Sequence, residues 1–368
     1  MNRRRHPDTT PTTVTGSSAE THRAPTVHDV ATRAGVASAT VSNVLTGRRP
    51  VRPELRERVH AAILEIGYQS NQLASSLRLR RSNTIGIVVP DLTNPFFAAL
   101  VHRIEDLAAR DGYDVLLAGS NEDETREAAR LQTLLARRID GLILAPARDE
   151  LPDSFASRPG MPPTVLMDRG FGHAGFDTVT IDNAAATSAG CRHLLELGHR
   201  DIALVVSSLS LANMRERATG YRETLAAVGL GARALVVEAG FDVDACHDAI
   251  VAALRAPSAP TAIFAANYVA TLGSMKAIRG LSLDFPRRIS LLGFDDTDWM
   301  TVLEPHLSVI EQPVASIAEA SWRLLCMRLR TNGEDHEHLR LPCNLVVRAS
   351  TRAPSGAFRA VDREMSAP

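Results

Sequence analysis

From Thr84 onward the chain repeats one rhythm: a short run of Val, Ile, Leu or Ala, then a longer stretch with apolar positions at helical spacing. The runs are 85–89, 115–118, 142–145, 165–167, 179–181, 202–206, 235–237, 263–265, 290–293 and 345–347. Strands that are apolar on both faces must be covered on both, which a parallel sheet wrapped by helices achieves. Ten such strands exceed one ordinary sheet of about five or six. Two doubly wound parallel α/β lobes are therefore expected, one from about 84–182 with 313–335 and the other from about 183–312 with 336–352. Ligands of such sheets sit beyond the carboxyl ends of the strands, here in the crevice between lobes.

The first eighty residues follow another pattern. Residues 1–24 are rich in Thr, Arg, Ser and Pro without apolar periodicity, and a disordered tail is expected there and at 353–368. Thr26-Val27-His28-Asp29 reads as a capping box, and Val27, Val30, Ala31 and Ala34 fall on one helical face. Gly35 supplies a left-handed stop. A second helix, 38–45, turns Val41, Val44 and Leu45 inward; a third begins at Pro53, buries Val59, Ile63 and Ile66, and ends at Gly67. Three short helices, the first two joined by a turn too short for antiparallel packing, describe a helix-turn-helix over 25–68. Residues 69–83 are polar and Arg-rich, a linker or a helix too short to be stable alone.

Charge divides along the same boundary. The formal net charge is −1, yet residues 1–82 hold 13 Arg against 6 Asp or Glu, so a head of about +7 precedes an acidic body. A polyanion is the expected partner of the head alone. The basic start is followed by no apolar stretch, and no run approaches a membrane span. The four cysteines, Cys191, Cys246, Cys326 and Cys343, form no CxxC or Cys/His cluster. A cytoplasmic location with reduced thiols is expected, with no membrane partner.

Catalytic signatures are missing from the sequence. There is no GxxxxGK[ST], GxSxG, HExxH or strand-end GxGxxG, and the single lysine, Lys276, follows no Gly-rich loop. Asp295, Asp296 and Asp298 could hold a cation and His336 and His338 a transition metal. Solvated or helix-capping loops are the better reading of both, so no metal and no cofactor are expected.

Taken in order, several short stretches resemble the LacI/GalR repressors over nearly the whole chain after residue 25. They are Thr26-Val27-His28-Asp29-Val30-Ala31, Thr40-Val41-Ser42-Asn43-Val44-Leu45, Ile66-Gly67-Tyr68, 89–97 (VPDLTNPFF), Asp182-Asn183, Leu197-Gly198-His199-Arg200, Gly293-Phe294-Asp295-Asp296 and 341–351. The resemblance implies a homodimer that places one recognition helix per half-site of a pseudo-palindromic operator in the major groove. By position Ser38, Ala39 and Asn43 match base-reading residues, and Thr26, Arg33, Thr40 and Ser42 match phosphate contacts. Asn71, Ala74, Ser75 and Leu77 match a hinge helix that forms on DNA, with Leu77 wedged into the minor groove. Two departures stand out: Ala37 replaces a capping Ser, and Ser75 replaces an Arg.

The same resemblance implies a small-molecule effector between the lobes, with Phe96, Phe97, Asp168, Asn213, Arg217, Phe241, Asn267 and Tyr268 at its contact positions. Tyr268 stands where an aspartate commonly binds sugar hydroxyls, and Leu211 where purine-responsive relatives carry an Arg. A plain hexose is on that ground expected to bind weakly, and a less polar or phosphorylated metabolite better. The function expected is a repressor of transcription controlled by a metabolite. A two-lobed sugar-binding protein without DNA function is the alternative, and an α/β enzyme using the cleft has no catalytic residues to support it.

Overall fold

The computed structural model describes residues 25–46, 49–68, 82–149, 151, 160–170, 175–331 and 335–355. The chain divides into two compact units, 1–79 and 80–368. The tail before residue 25 and the hinge positions Asn71, Ala74, Ser75 and Leu77 lie outside the described residues.

The first unit holds α1 (Val27–Ala34), α2 (Ser38–Thr46) and α3 (Pro53–Ile66). Thr26 and Asp29 cap α1 reciprocally: the Asp29 N–H donates to Thr26 Oγ1 and the Thr26 N–H to Asp29 Oδ2. The turn after α1 favours glycine. Gly35 has φ +62, and a Cβ there would lie 2.7 Å from Arg58 Nη2, which donates to the Ala34 carbonyl at 2.6 Å. Val30, Ala31, Ala34, Val41, Val59 and Ala62 make the small core, with Val27, Val36, Val44, Ile63, Ile66 and Tyr68 packed on it. Leu45 departs from expectation: it is 39% exposed, because the core ends at Val44 and α2 itself stops one residue later.

The second unit runs β1 (Thr84–Val89), α4 (Pro95–Arg110), β2 (Asp114–Gly119), α5 (Glu124–Ala136), β3 (Gly141–Leu144), β4 (Thr164–Met167) and β5 (Asp177–Ile181). Then come α6 (Asn183–Glu196), β6 (Ile202–Val206), α7 (Ala212–Ala227), β7 (Leu235–Glu238), α8 (Val243–Arg255), β8 (Ala262–Ala265), α9 (Tyr268–Gly280) and β9 (Ser290–Phe294). It closes with α10 (Trp299–Val302), β10 (Ser308–Glu311), α11 (Val314–Arg330), β11 (His338–Leu341) and β12 (Asn344–Val346). Two six-stranded sheets result, in the orders β11-β5-β4-β3-β1-β2 and β12-β10-β9-β8-β6-β7. Every pairing is parallel except β10 with β12. The strand order reverses between β1 and β3 and again between β6 and β8, so both switch points offer a crevice at the carboxyl ends.

Two of these strands were not foreseen. β10 has only Val309 and Ile310 between polar residues, and β11, His338-Leu339-Arg340-Leu341, alternates as an edge strand does. β11 also corrects the lobe boundary. Residues 336–341 were assigned to the second lobe, but β11 pairs in parallel with β5 of the first sheet, Leu339 opposite Val179. The cause is Asp177, fully buried at the start of β5. It accepts from Arg328 Nε at 2.6 Å and Nη2 at 2.8 Å and from the Glu337 N–H at 2.7 Å, so the segment after α11 is pinned to β5. The chain therefore crosses between sheets three times, at 182–183, 312–313 and 342–343. The carboxyl end continues past 352, for Ser355 Oγ donates to the Arg287 carbonyl at 2.7 Å.

Burial pushes the Asp177 carboxyl up, but the hydrogen bonds from Arg328 and the Glu337 N–H outweigh it and hold the carboxyl below its ordinary value of 3.8. Asp177→Asn removes the carboxylate that pairs with the Arg328 guanidinium and is expected to cost about 3 kcal/mol above pH 5. Because the wild-type stabilisation is lost as pH falls below 3.8, the deficit should shrink there; urea titrations at pH 7 and pH 3 measure both. A second prediction concerns Gly220, where α7 crosses α6. A Cβ at 220 would lie 2.2 Å from the Ala184 carbonyl oxygen. Although alanine favours helix by about 1 kcal/mol, Gly220→Ala should destabilise the core by about 2 kcal/mol, seen as a lower urea midpoint; an unchanged or higher midpoint would contradict the close approach.

Candidate functional site

The head presents its second helix outward. Ser38 and Ala39 are exposed at the start of α2, while Thr40, Ser42 and Asn43 are half-buried on it. Ala37 has no side-chain oxygen, and its carbonyl accepts from the N–H groups of Thr40 at 2.8 Å and Val41 at 3.3 Å. Arg33 is exposed and paired with Glu65 of α3. Arg58, which the sequence reading passed over, fixes the turn between α1 and α2 through the Ala34 and Gly35 carbonyls.

In the second unit one cavity lies at the carboxyl ends of the strands. The first lobe contributes Asp91, Asn94, Phe96 and Phe97 after β1, Glu122 after β2, and Asp168 and Arg169 after β4. The second contributes Ser207 after β6, Asn213, Met214 and Arg217 on α7, Phe241 after β7, Asn267 and Val269 after β8, Asp295 after β9 and Gln312 after β10. Seven of the eight expected positions line this cavity: Phe96, Phe97, Asp168, Asn213, Arg217, Phe241 and Asn267. Tyr268 does not. Its side chain packs on the second-lobe core, and its backbone N–H is turned to the Asp295 carboxylate. Leu211, likewise, is fully buried in the core.

Each wall is held by its own bonds. Asn94 caps α4 by accepting from the Phe96 N–H at 3.0 Å, and the rings of Phe96 and Phe97 meet edge to face at 5.1 Å. Arg169 grips Glu122 through Nη1 at 2.7 Å and Nη2 at 2.8 Å and also donates to the Pro146 carbonyl at 3.1 Å. Arg217 donates from Nε to Asn183 Oδ1 at 2.8 Å and from Nη1 to the Ala266 carbonyl. Its guanidinium lies 3.7 Å from the Phe294 ring centroid. Gln312 Nε2 donates to Asp295 Oδ1 at 2.6 Å. Across the gap, Asn213 Nδ2 donates to Asp168 Oδ2 at 3.4 Å. Asp168 and Asp295 both hold φ near +65, which aims their carboxylates off the strand ends into the gap.

The electrostatics favour an acceptor-rich site. Burial pushes the Asp295 carboxyl up to about 6 and raises Asp168 as well; Arg217 opposes the shift in both, after Arg169 in the case of Asp168. Gln312 Oε1 is buried without a hydrogen-bond partner among the described residues. The space enclosed is about 60 Å³, against the 300 Å³ or more typical of metabolite sites, so a ligand enters only if the lobes separate. Of the three acids weighed as metal ligands, Asp295 is engaged with Gln312 and Asp296 with Arg348 at 2.5 and 2.9 Å. Among the described residues the His/Asp/Glu group close enough to share an ion is His102, Glu105 and Asp106, on the surface of α4.

Among the cavity residues missed are Glu122, Arg169, Asp295 and Gln312. The signal available was position: each closely follows a strand end, where the switch-point geometry places ligands.

Comparison with known proteins bears on both regions. Residues 26–71 match the bacterial regulatory proteins of the lacI family, and residues 191–351 match the periplasmic binding protein-like domain. Catabolite control protein A of Priestia megaterium is 30% identical over 331 residues, 89% of this chain and 99% of that protein. The ribose operon repressor of Haemophilus influenzae is 30% identical over 88% of this chain and 98% of its own length. The lac repressor dimer bound to operator and the anti-inducer ONPF superposes with a TM-score of 0.78 at 27% identity, covering 90% of this chain and all of that one. With a helix-turn-helix head ahead of a two-lobed binding core, the chain belongs to the LacI family and is a DNA-binding regulator of transcription rather than an enzyme.

Proposed function

We propose that this regulator represses transcription as a homodimer on a pseudo-palindromic operator in the cytoplasm, and that a neutral polyhydroxy metabolite in the interlobe cavity controls its grip. The observation that carries the reading is the pairing, in one chain, of a basic head with a cavity rich in hydrogen-bond acceptors. Asp91, Glu122, Asp168 and Asp295 line that cavity against two guanidiniums, and Arg169 and Arg217 already have partners. Such a balance suits hydroxyl donors and opposes a phosphate. It runs against the expectation that sugars bind weakly, whose premise was a lost carboxylate at 268; Tyr268 lies outside the cavity and Asp295 supplies a carboxylate there. The names of the relatives, a ribose operon repressor and a lac repressor dimer on its operator, support the same reading.

On DNA, Ser38, Ala39 and Asn43 read base edges and Thr26, Arg33, Thr40 and Ser42 approach phosphates, Arg33 exchanging Glu65 for the backbone. Asn71, Ala74, Ser75 and Leu77 enter the minor groove. A second copy of the chain has apolar surface to cover: Leu117 on the outer strand β2 and Leu92 beside its end at Gly119 are each 45% exposed. No helix among the described residues is long and apolar enough to cross a membrane.

Two measurements test the proposal. Leu77→Ala should weaken operator binding at least tenfold while leaving non-specific binding nearly unchanged, since a wedge acts only where the duplex kinks; equal losses on both DNAs in a gel-shift titration would refute the hinge assignment. A melting-shift screen of ribose, other neutral pentoses and hexoses, and their phosphates should find stabilisation by a neutral sugar that is lost in Asp295→Asn; stabilisation by the phosphates alone would overturn the ligand class.

A further inference from the structure

The helix that carries Asn213, Met214 and Arg217 starts without a cap of its own. Its N-cap residue is Leu211, fully buried, whose side chain offers no hydrogen bond. A helix start in that state leaves N–H groups unsatisfied and a positive dipole end uncompensated. The missing acceptor comes from the other lobe. Asp149, in the loop after β3, accepts from the Ala212 N–H at 2.7 Å through Oδ1 and from Arg215 Nη2 at 2.5 Å through Oδ2. Arg215 is itself positioned by the Ser210 carbonyl, to which its Nη1 donates at 2.7 Å. Beside it Arg148, held by Glu124 of the first lobe at 2.7 Å, donates to Ser210 Oγ at 3.1 Å.

We propose that Asp149 is a positioning residue of the effector site: from the first lobe it caps α7 of the second, so that closure of the lobes completes the helix and opening uncaps it. The proposal rests on the cavity being the effector site. An ordinary N-cap is local and stays made whatever the domain does; this one exists only while the lobes are together. The cavity, at about 60 Å³, cannot admit a metabolite without their separation. Every entry or exit of ligand must therefore break the Asp149 contacts and leave the first turn of α7 with unpaired N–H groups. The wall bearing Asn213 and Arg217 is rigid in the closed form and loosened in the open one.

Hydrogen–deuterium exchange on the full-length protein tests this, each substitution being read in the lobe where it does not lie. Asp149→Ala should speed exchange of the amides at 212–215 about fivefold, the effect of losing one N-cap, with β6 and β8 unchanged as internal controls. Arg215→Ala should speed exchange at 145–149 in the first lobe by a similar factor, which a purely local role in α7 would not do. Wild-type rates at 212–215 in Asp149→Ala, or at 145–149 in Arg215→Ala, would overturn the proposal; if the first variant fails to fold, the second decides. Because neither readout uses a ligand, failure of every sugar to bind would overturn the effector reading and leave the exchange result standing.

Discussion

The core depends on one buried guanidinium. Arg217 is 2% exposed, yet it joins the crossover residue Asn183, the end of β8 at Ala266 and the Phe294 ring of β9. Burial disfavours its charge and lowers its pKa, and Asp168 and Asp295 oppose that shift. The three groups act on one another: burial raises both carboxyls, Arg217 opposes that rise, and the two carboxylates in turn favour the guanidinium charge. Asp168 belongs to the first lobe and the other two to the second. Moving the lobes apart separates Asp168 from its cation, and a ligand whose hydroxyls replace that interaction alters the balance between open and closed forms.

The surrounding architecture brings this triad about. Matched strand orders in the two sheets place both switch points toward the same gap, and segments after eight strands supply the walls. None of these side chains needs an unusual neighbour in sequence. What they need is a strand that ends where it does, and a left-handed residue, as at Asp168 and Asp295, to turn the side chain outward.

How much of this could be read beforehand follows from the physics of each element. Central strands such as Ile85–Val89 and Ile202–Val206 were legible because burial on both faces leaves a continuous apolar run. β10 and β11 were not: one is too short in apolar residues, and the other alternates at an edge whose position is set by Asp177, 160 residues from its partner Glu337. The helices of the head were legible through their caps, Thr26 with Asp29 and Gly35, which are local signals. Leu45 misled because periodicity says which side a residue faces and not whether anything lies there to bury it. The cavity positions Phe96, Asn213 and Arg217 came from resemblance, whereas the Glu122–Arg169 and Asp295–Gln312 pairs arise between residues 47 and 17 apart with no pattern between them. Tyr268 shows the limit of inference by position: the same place in a chain can turn its side chain toward a different compartment.

The return of β11 to the first sheet has an evolutionary side. With the chain crossing three times, neither lobe is a continuous stretch of polypeptide, and no single break point after residue 84 separates one whole sheet from the other. Recombination at the genetic level can exchange the head for another, because one covalent passage separates it from the rest. The two lobes, by contrast, are inherited only together.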